Sequence, residues 1–291
     1  MTAVYDVAVA GSSGFLGSAI AAGMEARGAA VARYTVERPL LLDGTVDDGA
    51  ARARTLIWAA SRVNPVVADG RPDLVVAERV DLADTLRALG ALPNPPRVVF
   101  LSSGGTVYGP PDRAPFSEAC VPHPVNAYGT LKWELERELL GTGLDVVVAR
   151  ISNAYGPGQV PAPGQGVIAH WLAAAARLAP ITVFGDRVST RDYVFIDDIV
   201  EAVARIHGSG AALPPVVNVG SGRPSTLDDV LSAVRAAVGA DGLDIREAPQ
   251  RATDTVSTWL DVSLARDVLG WEAKVGLDEG VARAWASMQT R

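Results

Sequence analysis

The chain is poor in the residues that mark several large classes of protein. It has one cysteine, Cys120, in 291 residues. No disulfide can form within the chain, which fits a reducing, cytoplasmic setting. Cys120 sits in "SEACVPHP", away from any paired histidine motif, which argues against a thiol nucleophile. The three histidines, His123, His170 and His207, have no ligand spacing, so no metal site is expected. No stretch reaches the roughly 18 apolar residues of a membrane span. The opening "MTAVYDVAVAGSSG" lacks the basic region, long apolar run and cleavage site of a signal peptide. Lys/Arg runs are absent too, and the net charge of −7 with a pI of about 5.0 argues against nucleic acid as a partner. An anionic ligand would have to be held by local positive groups.

What is present suits a folded core: 48% of residues are hydrophobic and 20% charged, and the length allows one large or two unequal domains. In the first half, β-rich runs alternate with helical segments. "YDVAVAG" (5–11), "AAVARYT" (29–35), "TLIWAAS" (55–61), "RVVFLSS" (97–103) and "LDVVVARIS" (144–152) read as strands. Helices are expected at 18–28, closed by Gly28, at 74–90, closed by Gly90, and at 126–140. Runs this apolar are strands covered on both faces, and the alternation with helices implies a parallel α/β sheet. After about residue 155 the texture changes. "AYGPGQVPAPGQG" (154–166) reads as a loop, followed by a helix (167–178), "ITVFGD" (181–186) and "STRDYVFIDDIVEAVARI" (189–206). A strand opens "VVNVGSGRPSTLDDVLSAVRAAVG" (216–239), and Ser225 or Thr226 then caps a helix with Asp228 and Asp229 in its first turn. No repeat or low-complexity tract occurs.

"GSSGFLG" (11–17) places Gly11, Gly14 and Gly17 between the first strand and the first helix. Glycine lets a backbone turn tightly and approach a pyrophosphate, and the helix N-terminus adds free N–H groups. The spacing is weak alone, but it stands in the required context. A second strand that grips the ribose of NAD should end in a carboxylate. Here that position is Thr35, with Arg33, Glu37 and Arg38 nearby. This leaves room for the extra phosphate of NADP, which arginine suits, unless the loop brings Glu37 or Asp43 to the ribose.

"NAYGTLKWELERELL" (126–140) puts Tyr128 and Lys132 on one helical face. An ammonium beside a phenol favours the phenolate and lowers a pKa that is otherwise near 10. "FLSSGGTVYG" (100–109) closes the fourth strand, at the sheet edge where ligands of open α/β folds gather.

Taken in order, these segments resemble the extended short-chain dehydrogenase/reductase family, in particular its nucleotide-sugar epimerases and dehydratases. "GSSGFLG", "SSGGTVYG", "YGTLK", "RISNAYGPGQ", "RDYVFIDDIVEA", "NVGSGRPSTL" and "ARDVLGW" carry the resemblance over nearly the whole chain. It implies a doubly wound parallel sheet (the Rossmann fold) with a smaller C-terminal α/β substrate domain. Residues 1–155 would bind the dinucleotide, with 189–207 returning to that unit, and 156–188 and 208–291 would form the substrate domain. By the same resemblance Gly11, Ser13, Gly14, Phe15, Leu16, Gly17, Thr35, Arg38, Ala59, Ala60, Ser102, Tyr128 and Lys132 would contact NAD or NADP. Tyr128 would be the acid/base, and Lys132 would hold the nicotinamide ribose and lower the tyrosine's pKa. Asn153, Arg191 and Arg251 would contact the substrate diphosphate, and the strand around Thr182 and Phe184 the nucleobase. Dimerisation through the helix of Tyr128 is implied as well.

Three positions depart from the family pattern. Gly104 stands where a catalytic hydroxyl is usual, leaving Ser103 or, preferably, Thr106 to supply one. Trp58 replaces a histidine before Ala59 and Ala60, and Thr258 replaces a tyrosine found in some relatives. The expected activity is 4-epimerisation of a nucleotide sugar through a transient 4-keto sugar. The alternatives are NADPH-dependent reduction of a keto-deoxysugar nucleotide and a non-catalytic dinucleotide-binding regulator. A 4,6-dehydratase is disfavoured, because Val107 and Tyr108 follow Thr106 where an Asp-Glu pair is usual.

Overall fold

The computed structural model describes residues 5–109, 114–185, 187–239, 243–249 and 257–290. The chain opens with β1 (Val7–Ala10), α1 (Phe15–Ala26) and β2 (Val31–Tyr34). A hairpin of β3 (Leu41–Leu42) and β4 (Thr45–Val46) follows, then α2 (Asp48–Ala51), β5 (Thr55–Trp58), α3 (Pro65–Gly70), α4 (Pro72–Gly90) and β6 (Arg97–Ser103). Next come α5 (Ala127–Leu140), β7 (Val146–Ile151), β8 (Asn153–Tyr155), α6 (Val167–Ala176), β9 (Ile181–Phe184) and β10 (Thr190–Phe195). The last part holds α7 (Ile196–Gly208), β11 (Val216–Val219), β12 (Pro224–Thr226), α8 (Leu227–Val238), β13 (Ile245–Ala248), α9 (Ser263–Leu269) and α10 (Leu277–Gln289).

Six strands make one sheet in the order β11-β7-β6-β5-β1-β2, every pair parallel. Side chains alternate across a strand, so each apolar run feeds two cores. Val7, Val9, Ile57, Val99 and Leu101 join the core beneath α1 and α7, where Ile20, Met24, Ile199 and Val203 are buried. Ala8, Ala10, Leu56, Trp58, Val98 and Phe100 join the opposite core, beneath α4 and α5. That second core takes Leu82, Leu86 and Leu89 from α4 and Leu131, Leu135 and Leu139 from α5. Truncating any one of these leucines to alanine would cost roughly 2–5 kcal/mol.

The chain runs outward from β1 to β2, then crosses back to β5 and proceeds the other way. That reversal between β1 and β5 is the switch point at which open parallel sheets leave a crevice. The strand at 216–219, which the sequence reading grouped with the substrate unit, extends this main sheet beside β7, with Val217 opposite Ala149. It is the edge strand of the sheet on that side, and Val217, Asn218 and Val219 are buried. Outside the main sheet, β8, β10 and β12 form a three-stranded sheet and β9 pairs with β13. Thr226 caps α8 in a capping box with Asp229. No helix among the described residues is long and apolar enough to cross a membrane.

Candidate active site

The glycine loop lies at the switch point. Gly11 has φ 80°, and a Cβ there would stand 2.6 Å from the backbone of Ala60 at the end of β5. A Cβ on Gly17 would stand 2.1 Å from the Gly11 carbonyl oxygen. Glycine at both positions lets the loop, the start of α1 and the Ala59–Ala60 step close on one another. Ser12 ties the loop to β2, its hydroxyl donating to the Tyr34 carbonyl at 3.0 Å. Gly14 is the N-cap of α1 and offers no side-chain cap, so the helix N-terminus keeps its partial positive charge for an anion. Ser13 is exposed beside it, while Phe15 and Leu16 turn inward against the core. A dinucleotide pyrophosphate fits this cradle.

At the end of β2 the arginines do not gather. Arg33 is taken by Glu25 of α1, with its Nε and Nη2 at 2.9 and 2.8 Å from the carboxylate. Thr35 donates its hydroxyl to Glu37 at 2.8 Å, which brings a carboxylate to the tip of the strand. Arg38 lies over the Tyr34 ring at 5.6 Å. Of the candidates at this strand end, Arg33 is already paired and Glu37 is tied to Thr35.

β6 delivers Ser103 and the loop after it. Thr106 donates its hydroxyl to Ser103 Oγ at 2.9 Å. Helix α5 begins with Asn126, which accepts the Gly129 N–H at 2.8 Å. A Cβ on Gly129 would lie 2.6 Å from the Thr106 carbonyl oxygen. Glycine therefore allows the first turn of α5, with Tyr128 in it, to press against the Ser103–Thr106 loop. Gly104 has its own packing reason, since a Cβ there would come 2.7 Å from Leu260 Cδ1 and 3.1 Å from the Arg150 carbonyl oxygen. The position usual for a hydroxyl is thus closed by Leu260.

Lys132 follows one turn after Tyr128. Its Nζ lies 5.7 Å from the centroid of the Tyr128 ring and 5.2 Å from that of Phe100. Burial raises the Tyr128 phenol above its ordinary pKa; Lys132 pulls it down and Glu78 pushes it up. The lysine acts in the expected direction, but it does not outweigh burial. Lys132 itself forms an ion pair with Glu78 of α4 at 3.0 Å, both side chains about 3% exposed.

A second buried pair lies one turn further along. Arg150 of β7 forks onto Glu136 of α5, with Nη2 to Oε2 at 2.6 Å. Ser102 donates to the same Glu136 at 2.5 Å. Glu136 lies eight residues after Tyr128 on one helical face, and Arg150 is a charge inside an apolar strand. Both were visible as patterns. Glu78 was hidden among the ordinary surface charges of an amphipathic helix.

Across the cleft, Asn153 donates to the Asp192 carbonyl at 2.9 Å, and its Nδ2 lies 3.8 Å from where a Cβ on Gly105 would be. The asparagine therefore faces the β6-end loop. Arg191 is the second residue of β10 and donates to the Thr190 carbonyl at 2.9 Å. The neighbouring Asp192, 1% exposed, accepts from Ser152, Ser221, Gly222 and Leu260 and binds these segments into one wall. Thr182 and Phe184 lie on the less buried face of β9, opposite Ile181 and Val183. Thr258 is buried and its N–H donates to the Thr190 carbonyl at 3.0 Å. Trp58 packs in the core beneath α4 and α5. Arg251 lies outside the described residues.

A family model described as "NAD dependent epimerase/dehydratase family" matches residues 7–220. The chain belongs to the NAD-dependent epimerase/dehydratase family. It is 36% identical to a UDP-glucose 4-epimerase of Mycolicibacterium smegmatis over 72% of its own length and 66% of that relative's. It is 30% identical to a dTDP-6-deoxy-L-talose 4-dehydrogenase (NAD(P)(+)) of Kitasatospora kifunensis, over 99% of this chain and 97% of that one. Among solved structures, the UDP-glucose 4-epimerase of Thermus thermophilus in complex with NAD superposes with a TM-score of 0.85 at 28% identity, covering 97% of this chain and 98% of that one. Members of this epimerase/dehydratase family are enzymes, which disfavours a purely regulatory role.

Proposed function

We propose that the protein is an NAD-dependent nucleotide-sugar 4-epimerase with Tyr128 as its acid/base. The observation that supports the reading is the first turn of α5, which Gly129 lets press against the Ser103–Thr106 loop, with Tyr128 in that turn and the Lys132 ammonium 5.7 Å from its ring centroid. Bound in the cradle of Gly11, Gly14 and Gly17, NAD would supply a reversible hydride acceptor for the sugar carbon. Tyr128 removes the proton of the sugar 4-hydroxyl as C4 is oxidised to a ketone, and gives it back as C4 is reduced on the other face. Lys132 supports the phenolate electrostatically, and in this reading its remaining ammonium protons hold the nicotinamide ribose. Thr106, with Ser103 behind it, supplies the hydroxyl that Gly104 lacks. Asn153, Arg191 and Arg251 hold the diphosphate, and the Thr182–Phe184 face receives the base.

Residues 1–155 with 189–207 form the cofactor unit in this reading, and 156–188 with 208–291, apart from β11, form the substrate side with β9, β12 and β13. A homodimer through α4 and α5 is part of the proposal. Val76 and Val80 on α4 and Leu140 on α5 are exposed apolar side chains suited to it. So is a cytoplasmic location.

Net reduction of a keto-deoxysugar nucleotide is the second reading, favoured by the end-to-end likeness to the Kitasatospora dehydrogenase. Two measurements separate them. An epimerase recycles its cofactor and releases tightly held NAD on denaturation, whereas a reductase consumes NADPH in proportion to product. Tyr128→Phe should lower turnover about 100-fold or more with dinucleotide binding retained. Turnover that survives this substitution refutes the tyrosine mechanism.

A further inference from the structure

The Tyr128–Lys132 pair does not stand alone in the protein's interior. A lysine only 3% exposed needs a counter-charge, and Glu78 supplies it from α4 at 3.0 Å. Glu78 is in turn held from the end of β5. The Ser61 Oγ lies 3.0 and 2.9 Å from the two carboxylate oxygens and 2.9 Å from the Val63 carbonyl, one proton shared among them, and the Arg62 N–H donates to the carboxylate at 2.8 Å. These two residues directly follow the Ala59–Ala60 step that closes on Gly11. The carboxylate thus bridges the cofactor crevice and the helix of the proposed acid/base, using donors that fix its position.

We propose that Glu78 is a positioning residue: its anchored carboxylate fixes where the Lys132 ammonium stands and how much of that positive charge the Tyr128 phenol feels. The inference rests on the reading of Tyr128 as acid/base. The groups facing the pair are few. Glu78 comes from α4, Glu136 from the next turn of α5, and β6 contributes the uncharged Phe100 ring. Arg150 is committed to Glu136 through its fork. Lys132 therefore has two carboxylates in reach, and Glu78 is the one also felt at Tyr128, where it opposes the lysine. A glutamine at 78 whose carbonyl keeps the Arg62 N–H and the Ser61 hydroxyl turns its amide NH2 toward the Lys132 ammonium, donor against donor, so the ammonium loses its anchor as well as its counter-charge. Lys132 weighs more on the phenol than Glu78 does, so loosening the ammonium outweighs removing the opposing carboxylate.

The test is a near-ultraviolet phenolate titration of the full chain saturated with NAD. It is run on the wild type and Glu78→Gln, each against the same protein carrying Tyr128→Phe, so that the difference isolates Tyr128. The midpoint should move up by about one pH unit in Glu78→Gln. An unchanged or lowered midpoint overturns the proposal, even if thermal stability falls, because a merely structural glutamate would lower stability and leave the titration in place. Glu78→Asp keeps the charge and draws it back by one methylene. Should the glutamine variant not fold, this variant must still move the midpoint up by a smaller amount, and no movement overturns the proposal. Turnover that survives Tyr128→Phe would show instead that the acid/base assignment has failed, and the proposal with it.

Discussion

Gly104 offers the most direct test of how the site is packed. Replacing it with serine would restore a hydroxyl at the family's usual position, but the new Cβ would meet Leu260 Cδ1 at 2.7 Å, where ordinary contact begins at 3.4 Å. Leu260 is 2% exposed, and the Arg150 carbonyl oxygen at 3.1 Å bars retreat on the other side. Overpacking of this kind costs about 1–3 kcal/mol, and the loss of glycine's freedom in the unfolded chain returns about 0.4–1 kcal/mol. A net cost of about 1–2 kcal/mol should lower the melting temperature by ~2–6 °C for a chain of this size. Leu260→Val, which removes one methylene, should cost roughly 1 kcal/mol alone and much less in the double variant that also carries Gly104→Ser. The cycle should close with a coupling of at least ~0.5 kcal/mol, read from urea unfolding of the four proteins. Gly104→Ser as stable as the wild type, or strictly additive costs, would refute the claim that Leu260 closes this position.

Glu37→Ala should relax the preference for NAD over NADP, because it removes the carboxylate that Thr35 holds at the tip of β2; dinucleotide titrations of the two proteins would show it. Glu136→Gln leaves Arg150 buried without its counter-charge and should cost about 3–5 kcal/mol in chemical denaturation. His207 is held below its ordinary pKa of 6.5, first by burial and then by Arg54 and Arg97. The unfolded chain therefore takes up a proton before the folded one does. Its contribution to stability is intact above about pH 6.5 and is lost as the pH falls toward 5. The melting temperature of the wild type should accordingly fall more than that of His207→Gln over that interval.

The main sheet was legible in the sequence because parallel strands announce themselves as short apolar runs, and "RVVFLSS" spans Arg97–Ser103 as read. Other ends moved by a few residues. The helix expected at 18–28 begins at Phe15, since the glycine loop itself winds into its first turn. The strand at 153–155 was hidden in a Gly- and Pro-rich stretch, and its pairing with β10 is a long-range contact that no local pattern records. At the site, Tyr128 and Lys132 were visible because helical spacing couples them. Glu25 and Arg33, in contrast, belong to different elements, and only the fold shows that the arginine expected near a phosphate is already paired.

The motif that was easiest to read was also incomplete, for an electrostatic reason. A tyrosine and a lysine four residues apart describe one face of α5, but that face packs on the sheet, where an ammonium is costly to bury. A charge there implies an opposite charge from a neighbouring element. The protein answers with Glu78 on one side and with the Arg150–Glu136 pair on the other, so two cations and two carboxylates share a single interior layer. The consequence is that the phenol's environment is set by the balance of this layer rather than by Lys132 alone. Burial and Glu78 raise the phenol while Lys132 lowers it, so substitutions at positions that never touch a substrate should alter the proton transfer. Residue 78 lies fifty residues before Tyr128 in the chain, yet it is the neighbour whose charge most directly offsets the lysine's.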